Sequence, residues 1–212
     1  MREKPIILIG GGGHCISCID VIEQGNEFNI IGIVDLPEKV GQKILGYEFI
    51  GIDEQIEDFV KECPNFLITA GQIKSTSIRK RLYQFVKNAG GNLPVISSPH
   101  AYISKHATIE EGTIIMHHAI VNVNAKIGKC GIINSKALIE HEAAVGDFTH
   151  VSTGAIINGQ SKIGNHCFMG SNTVVSNNVV ISNDTIISAG SQVLKNISEP
   201  GVYIGNPLRK IH

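Results

Sequence analysis

An α/β domain followed by a parallel β-helix is the fold class that this 212-residue sequence predicts. Three observations carry it. From Ala101 to Leu194 a branched aliphatic residue or Met recurs at every sixth position, from Ile103 and Ile109 through Ile139, Val145, Val151 and Ile157 to Ile187 and Val193, with no slip of frame. Two positions before each stands a mostly small residue, such as Ala101, Ala107, Ala119, Ala137 or Ala155. Ahead of residue 99 the texture changes, and short apolar runs alternate with helical patterns. Such alternation argues a small parallel sheet with helices packed on it.

The first domain, residues 1–98, is Rossmann-like in its order of elements. Pro5–Ile9 reads as a short buried strand, followed by Gly10-Gly11-Gly12-Gly13-His14 and a helix with Ile16, Ile19, Val21 and Ile22 on one side. Ile30–Val34 is a second strand that ends at Asp35, and Gly46–Ile50 is a short edge segment. Asp53 has the character of an N-cap for a helix burying Ile56, Phe59 and Val60. Phe66–Thr69 is a third strand. A helix beginning at Ser75 carries Ile78, Leu82, Phe85 and Val86 and stops at Gly90-Gly91. Leu93–Ile96 is a fourth strand, and Ser97-Ser98-Pro99 forms the junction.

In the second domain, residues 99–212, a period of six fits neither a helix, with 3.6 residues per turn, nor a flat sheet, with its alternation of two. It fits a triangular coil of short strands and corners, with one large apolar side chain pointing inward per side. Three hexapeptides close a turn, which gives about five coils that bury their aliphatic rings on one another. A β-sandwich would instead need turns at irregular spacing. The period leaves the hand of the coil open.

Composition narrows the function. The formal net charge of −1 gives no electrostatic case for nucleic acid or an anionic membrane. No apolar run approaches the roughly 20 residues of a membrane span, and no basic start precedes an apolar segment, so no signal peptide is expected. The five cysteines are odd in number and scattered, as expected of a reduced cytosolic chain. Cys15-x-x-Cys18 invites a redox or zinc reading, but there is no second pair and its flanks look like a helix start.

Because the inside of the coil is apolar, its chemistry must stand on corners and outer faces. His141 lies two residues after Ile139, near a corner, and Glu142 follows it directly. A histidine beside a carboxylate is a candidate general base, with the acid fixing tautomer and orientation. His150 precedes Val151 and so points outward, on another side of the triangle from His141. One chain does not easily bring the two together, whereas two chains side by side do. An active cleft between subunits is the expectation. A zinc site of the γ-carbonic-anhydrase kind needs three convergent imidazoles. One turn before and after His141 stand Val123 and Gly159, so no metal is expected. In the first domain, glycines after a first strand let a phosphate or sugar nucleotide approach the backbone. The full dinucleotide fingerprint is not met, since Cys15 holds the third glycine position. Asp35 stands where a ribose-binding acid would be.

Several stretches together resemble the PglD/NeuD group of hexapeptide-repeat sugar acetyltransferases over essentially the whole chain. They are Gly10-Gly11-Gly12-Gly13-His14, Asp35, Glu140-His141-Glu142, the run from Val145-Gly146-Asp147-Phe148 through His150-Val151-Ser152 to Gly154, Lys162-Ile163-Gly164 with Cys167-Phe168 and Gly170, and Gly205-Asn206-Pro207-Leu208-Arg209. The resemblance implies a left-handed β-helix, a homotrimer and a role in surface glycan biosynthesis. It implies transfer of acetyl from acetyl-CoA to the 4-amino group of a nucleotide-linked 4-amino-4,6-dideoxy sugar, UDP-linked by preference. Carried over, it makes His141 the base and Glu142 its partner, and places His150 at the acetyl and thioester end of CoA. Gly159 and Gly170 would lie along the pantetheine, with Ala189 and Arg209 also on the cofactor. Asn134 would face the amino sugar, and Gly10, Gly13, His14 and Asp35 would hold the nucleotide. Ser188-Ala189-Gly190 and Leu208 depart from the group's pattern, which is richer in glycine and has Ala at those places. A sialic-acid O-acetyltransferase and a non-catalytic nucleotide-sugar-binding protein are the alternatives.

Overall fold

The computed structural model of the chain describes residues 3–212. It divides into two compact units. One runs to Gly71 and resumes over Ser77–Pro99, and the other comprises Gln72–Thr76 and His100–His212.

The first unit is a five-stranded sheet. Strands β1 (Lys4–Ile9), β2 (Phe28–Val34), β3 (Lys43–Ile44), β4 (Tyr47–Gly51) and β5 (Phe66–Ile68) lie in the order β3-β4-β2-β1-β5. All neighbours are parallel except β3 and β4, which form an antiparallel hairpin. The segment expected as an edge strand is thus an inner one, and β3 takes the edge. Helix α1 (Gly13–Gly25) buries Cys15, Cys18, Ile19 and Ile22, whereas Ile16 is 44% exposed. The spacing 15, 18, 19, 22 is the true apolar stripe, so the Cys-x-x-Cys pair is core. Burial pushes the Cys15 thiol up to about 11, and Cys18 further still.

Three other expectations are corrected. Asp53 opens a single 3-10 turn before helix α2 (Ile56–Glu62) and caps nothing with its side chain, because its carboxylate pairs with Arg81 at 2.8 Å. Helix α3 (Ser77–Asn88) begins two residues later than expected and turns Arg79 inward in place of Ile78. The Arg79 guanidinium donates to the carbonyls of Ile68 and Ala70 at 2.8 and 2.7 Å, serving the carbonyl end of β5. Leu93–Ile96 adds no strand to this sheet. Pro94 has no N–H for a ladder, and only Ile96–Ser97 is extended.

The second unit is a left-handed β-helix of two-residue strands. One face stacks Tyr102–Ile103, Ile120–Val121, Leu138–Ile139, Ile156–Ile157, Val174–Val175 and Gln192–Val193. A second stacks Thr108–Ile109, Lys126–Ile127, Ala144–Val145, Lys162–Ile163 and Val180–Ile181. A third runs from Ile114–Ile115 through Ile132–Ile133, His150–Val151 and Phe168–Met169 to Thr185–Ile187. The residues in steps of six fill the bore. From Ile115 to Val193 they are essentially inaccessible, as are Ala119, Ala125, Ala137, Ala143 and Ala155 beside them. Each buried aliphatic side chain contributes about 1.5–3 kcal/mol. Where the small position is polar, its hydroxyl is satisfied: Thr149 donates to the Gly164 carbonyl at 2.8 Å and accepts from the Cys167 N–H at 3.0 Å.

The corners share one backbone device. Every sixth residue from Gly112 to Gly190 has positive φ, whatever its side chain, including Lys136, Glu142, Phe148 and Gln160. An L-residue there costs roughly 1–2 kcal/mol, and the stacked coils on either side hold it in place. The coil also runs past Leu194. Ile181 bridges Ile197, and Thr185 faces Gly201, after which Gly201–Ile204 and Arg209–Lys210 form an antiparallel hairpin over the end.

Candidate active site

The corner after Leu138–Ile139 brings His141 and Glu142 together. Successive side chains on a strand diverge, but Glu142 has φ +57, and that turn folds its carboxylate back toward its neighbour. His141 Nδ1 stands 3.4 Å from Glu142 Oε2. Gln160, one coil on, donates to the same oxygen at 3.0 Å. These two hydrogen bonds, Gln160 first, hold the Glu142 carboxyl below its ordinary range. Glu140 steadies the backbone from below: its Oε2 accepts from the His141 N–H and from Asn122 Nδ2, both at 3.0 Å. Both site side chains remain about half exposed, at 49% and 50%. With the Nδ1 proton directed at Glu142, the free lone pair of the neutral ring lies on Nε2. A Cβ built on Gly159 would stand 2.6 Å from that Nε2, so the imidazole lies directly against the glycine backbone. Beside Glu142 a groove on the second face is floored by Ala144 and flanked by Lys126 and Lys162.

His150 is on the third face, one coil side removed from His141, and is 8% exposed. Its Nδ1 donates to the Gln72 carbonyl at 2.7 Å, and its Nε2 accepts from Asn134 Nδ2 at 3.2 Å. Phe168 meets the ring edge-on at 5.1 Å between centroids. Asn134 and His150, named separately by sequence, are thus one hydrogen-bonded pair. Gln72 was missed, because nothing in a segment between a strand and a helix announces a contact with the coil. Gln160 was missed because only the 18-residue register places it over Glu142.

In the first unit, Gly10 has φ +102, and a Cβ there would stand 2.8 Å from the Ala70 nitrogen. Gly12 and Gly13 face open space, which leaves the start of α1 approachable. His14 Nε2 lies 3.4 Å from Cys18 Sγ. Asp35 Oδ2 accepts from the Gly11 N–H at 2.6 Å and from Lys39 Nζ at 2.8 Å, while Oδ1 accepts from the Leu36 N–H at 2.7 Å. Burial by itself would raise the Asp35 carboxyl, but Lys39 and the two N–H groups outweigh it and the net shift is downward. Asp35 therefore clasps the glycine loop to the end of β2.

At the far end of the coil, the backbone of Ser188 and Ala189 passes directly over Gly170, where a Cβ would have no room. Arg209 is exposed on the closing hairpin. Nearby, Leu194, Ile197, Tyr203, Pro207 and Leu208 line a cavity of about 370 Å³. Among the described residues no group of three or more His, Cys, Asp or Glu is arranged to hold a metal ion, and no helix is long and apolar enough to cross a membrane.

Comparison with known proteins bears on both units. Residues 5–86 match the PglD N-terminal domain family. PerB from Caulobacter crescentus, solved with CoA and GDP-perosamine, is 25% identical with a TM-score of 0.89, over 98% of this chain and 97% of that one. The acetyltransferase domain of PglB from Neisseria gonorrhoeae, solved with acetyl coenzyme A, is 22% identical with a TM-score of 0.90, over 99% and 100%. WeeI from Acinetobacter baumannii is 21% identical with a TM-score of 0.84, over 99% and 100%. No curated protein sequence matches the chain. The resemblance seen in the sequence therefore holds: residues 5–86 match the PglD N-terminal domain family, and the whole chain shares its fold with PerB and the acetyltransferase domain of PglB.

Proposed function

We propose that this chain is an acetyl-CoA-dependent N-acetyltransferase acting on the 4-amino group of a nucleotide-linked 4-amino-4,6-dideoxy sugar, with His141 as general base. The observation that carries the proposal is the corner in which Glu142 and Gln160 orient one face of the imidazole while Gly159 leaves its Nε2 accessible. The whole-chain likeness to PerB, solved with CoA and GDP-perosamine, supports the substrate class.

A sugar ammonium must lose a proton before its nitrogen can attack a thioester. That first proton goes to solvent; His141 Nε2 takes the second, directly or through one water, as the C–N bond forms, and the Glu142 carboxylate stabilises the imidazolium. The tetrahedral oxyanion needs a hydrogen-bond donor, and we assign this role to backbone N–H near Gly159. Collapse expels the CoA thiolate, which takes the proton from the His141 imidazolium and leaves as the thiol, so acetyl passes directly from sulfur to nitrogen. His150 shapes the acetyl end. Gly10, Gly13, His14 and Asp35 define the nucleotide region, and Gly170, Ala189 and Arg209 the CoA path. The subunits form a homotrimer with the reacting groups shared between neighbouring copies.

General-base catalysis is worth about 10²–10⁴-fold. His141→Ala is expected to lower kcat by that order, with acetyl-CoA binding retained by calorimetry. Activity within about twofold of wild type would remove His141 from the role. A thiol-release screen with UDP-, dTDP- and GDP-4-amino sugars identifies the nucleotide. The sequence resemblance favoured uridine, whereas PerB was solved with a guanosine sugar.

A further inference from the structure

The segment Gln72–Thr76 lies between β5 and α3 in the chain, yet it packs within the coil unit. Ile73, Lys74 and Ser75 are exposed, whereas Gln72 is 5% exposed. The Gln72 side-chain amide donates to the Phe148 carbonyl at 2.6 Å and lies 3.4 Å from the Cys167 carbonyl. Its backbone carbonyl faces His150 Nδ1 at 2.7 Å. A carbonyl has no proton to give, so the ring proton stands on Nδ1. On the other side, Asn134 Oδ1 is taken by the Ser135 N–H at 2.8 Å, which turns the amide nitrogen toward His150 Nε2. Nε2 is therefore an acceptor.

We infer that Gln72 is a positioning residue: by anchoring its side chain on the Phe148 carbonyl it holds its own carbonyl against His150 and fixes that ring as the Nδ1–H tautomer, with Nε2 turned to Asn134. Both ring nitrogens are then spent on the chain. His150 serves as an oriented wall and not as a carrier of the sugar's proton, which leaves that task to His141. The tautomer assignment stands on geometry alone. Its kinetic consequence rests on the proposed place of His150 at the acetyl end.

The test is two-bond proton–nitrogen NMR of the full chain with labelled histidine, the His150 signals being assigned by their loss in His150→Gln. In the wild type, Nδ1 is expected to be pyrrole-type and Nε2 pyridine-type. Gln72→Leu keeps the size and removes the donor. In that variant the His150 pattern is expected to move toward a mixture of tautomers. The KM for acetyl-CoA should rise roughly tenfold, the scale of one lost buried hydrogen bond, with kcat changed by less than about threefold. Lys74→Ala, on the exposed part of the segment, should alter neither. A wild-type spectrum with the proton on Nε2 overturns the inference without any variant, and so does an unchanged pattern in folded Gln72→Leu. A changed tautomer with an unchanged KM supports the role of Gln72 and removes His150 from the acetyl end.

Discussion

Gly159 decides which way His141 can point. The atoms nearest a methyl group there are the tip of the imidazole, at 2.6 and 2.7 Å, and Asn177 Nδ2 at 3.2 Å. These are ends of side chains, and they can move aside at little cost to the fold. Gly159→Ala is therefore expected to keep stability within about 1 kcal/mol while displacing the ring from Glu142 and lowering kcat. Thermal melting and steady-state rates check the two halves, and an unaltered rate would show that the ring orientation is not held by this glycine. Asp35 makes a different prediction, one about pH. Its folded carboxyl lies below the unfolded value of about 3.9, so its stabilising contribution is present above that value and is lost as pH falls through the folded pKa. Asp35→Asn should melt below wild type at neutral pH, with the gap closing below about pH 4. A gap that persists in acid would mean that the loss comes from packing and not from charge.

Each two-residue strand makes few ladder bonds, such as Ile120 N–H to the Ala137 carbonyl and Asn122 N–H to the Ile139 carbonyl, both 2.9 Å. The corners must then carry much of the register. One corner does so with a column of Asx side chains: Asp147, Asn165 and Asn183 each accept, at 2.8 Å, from the backbone N–H one coil earlier, at Lys129, Asp147 and Asn165. Gly128, Gly146 and Gly164 precede these positions because a side chain there would strike the next coil's backbone. Gly170 is the same device on another corner. Unlike Gly159, it faces backbone, and backbone cannot step aside. Gly170→Ala is expected to cost about 1–3 kcal/mol, as overpacking does, read by denaturant unfolding. A cost near zero would mean that the upper coils are looser than this contact implies.

At the scale of the whole molecule, His141 and His150 belong to different faces of the prism, since the strand Leu138–Ile139 and the strand His150–Val151 lie in different sheets. A reaction that uses both is most simply assembled from two copies, one supplying each. If His141→Ala and His150→Ala chains each prove inactive alone, they are expected to regain activity when refolded together. Verified mixed oligomers without activity would count against a shared cleft.

Residue order alone was enough to specify the bore of the coil. A period of six is a one-dimensional signal that only a three-sided prism satisfies, and the residues it marks from Ile115 to Val193 are those that are buried. It also marked the His141–Glu142 corner, because the two residues are adjacent and the period places them at a turn. The remaining features arise only once the chain is folded. That Glu142 takes positive φ, that Gln160 reaches it, and that Gly159 lies under the imidazole all follow from stacking at 18-residue intervals, where side chains distant in sequence become neighbours. In the first unit, residue order marked Asp35 as an acid at a strand end, and only the fold shows its carboxylate accepting from Gly11, Leu36 and Lys39. Arg79 and Cys18 face inward where aliphatic residues were expected, for burial depends on which face a neighbouring element covers. Gln72 is the extreme case: its partners Phe148 and His150 lie 76 and 78 residues further along the chain, and no local pattern encodes a hydrogen bond across that distance.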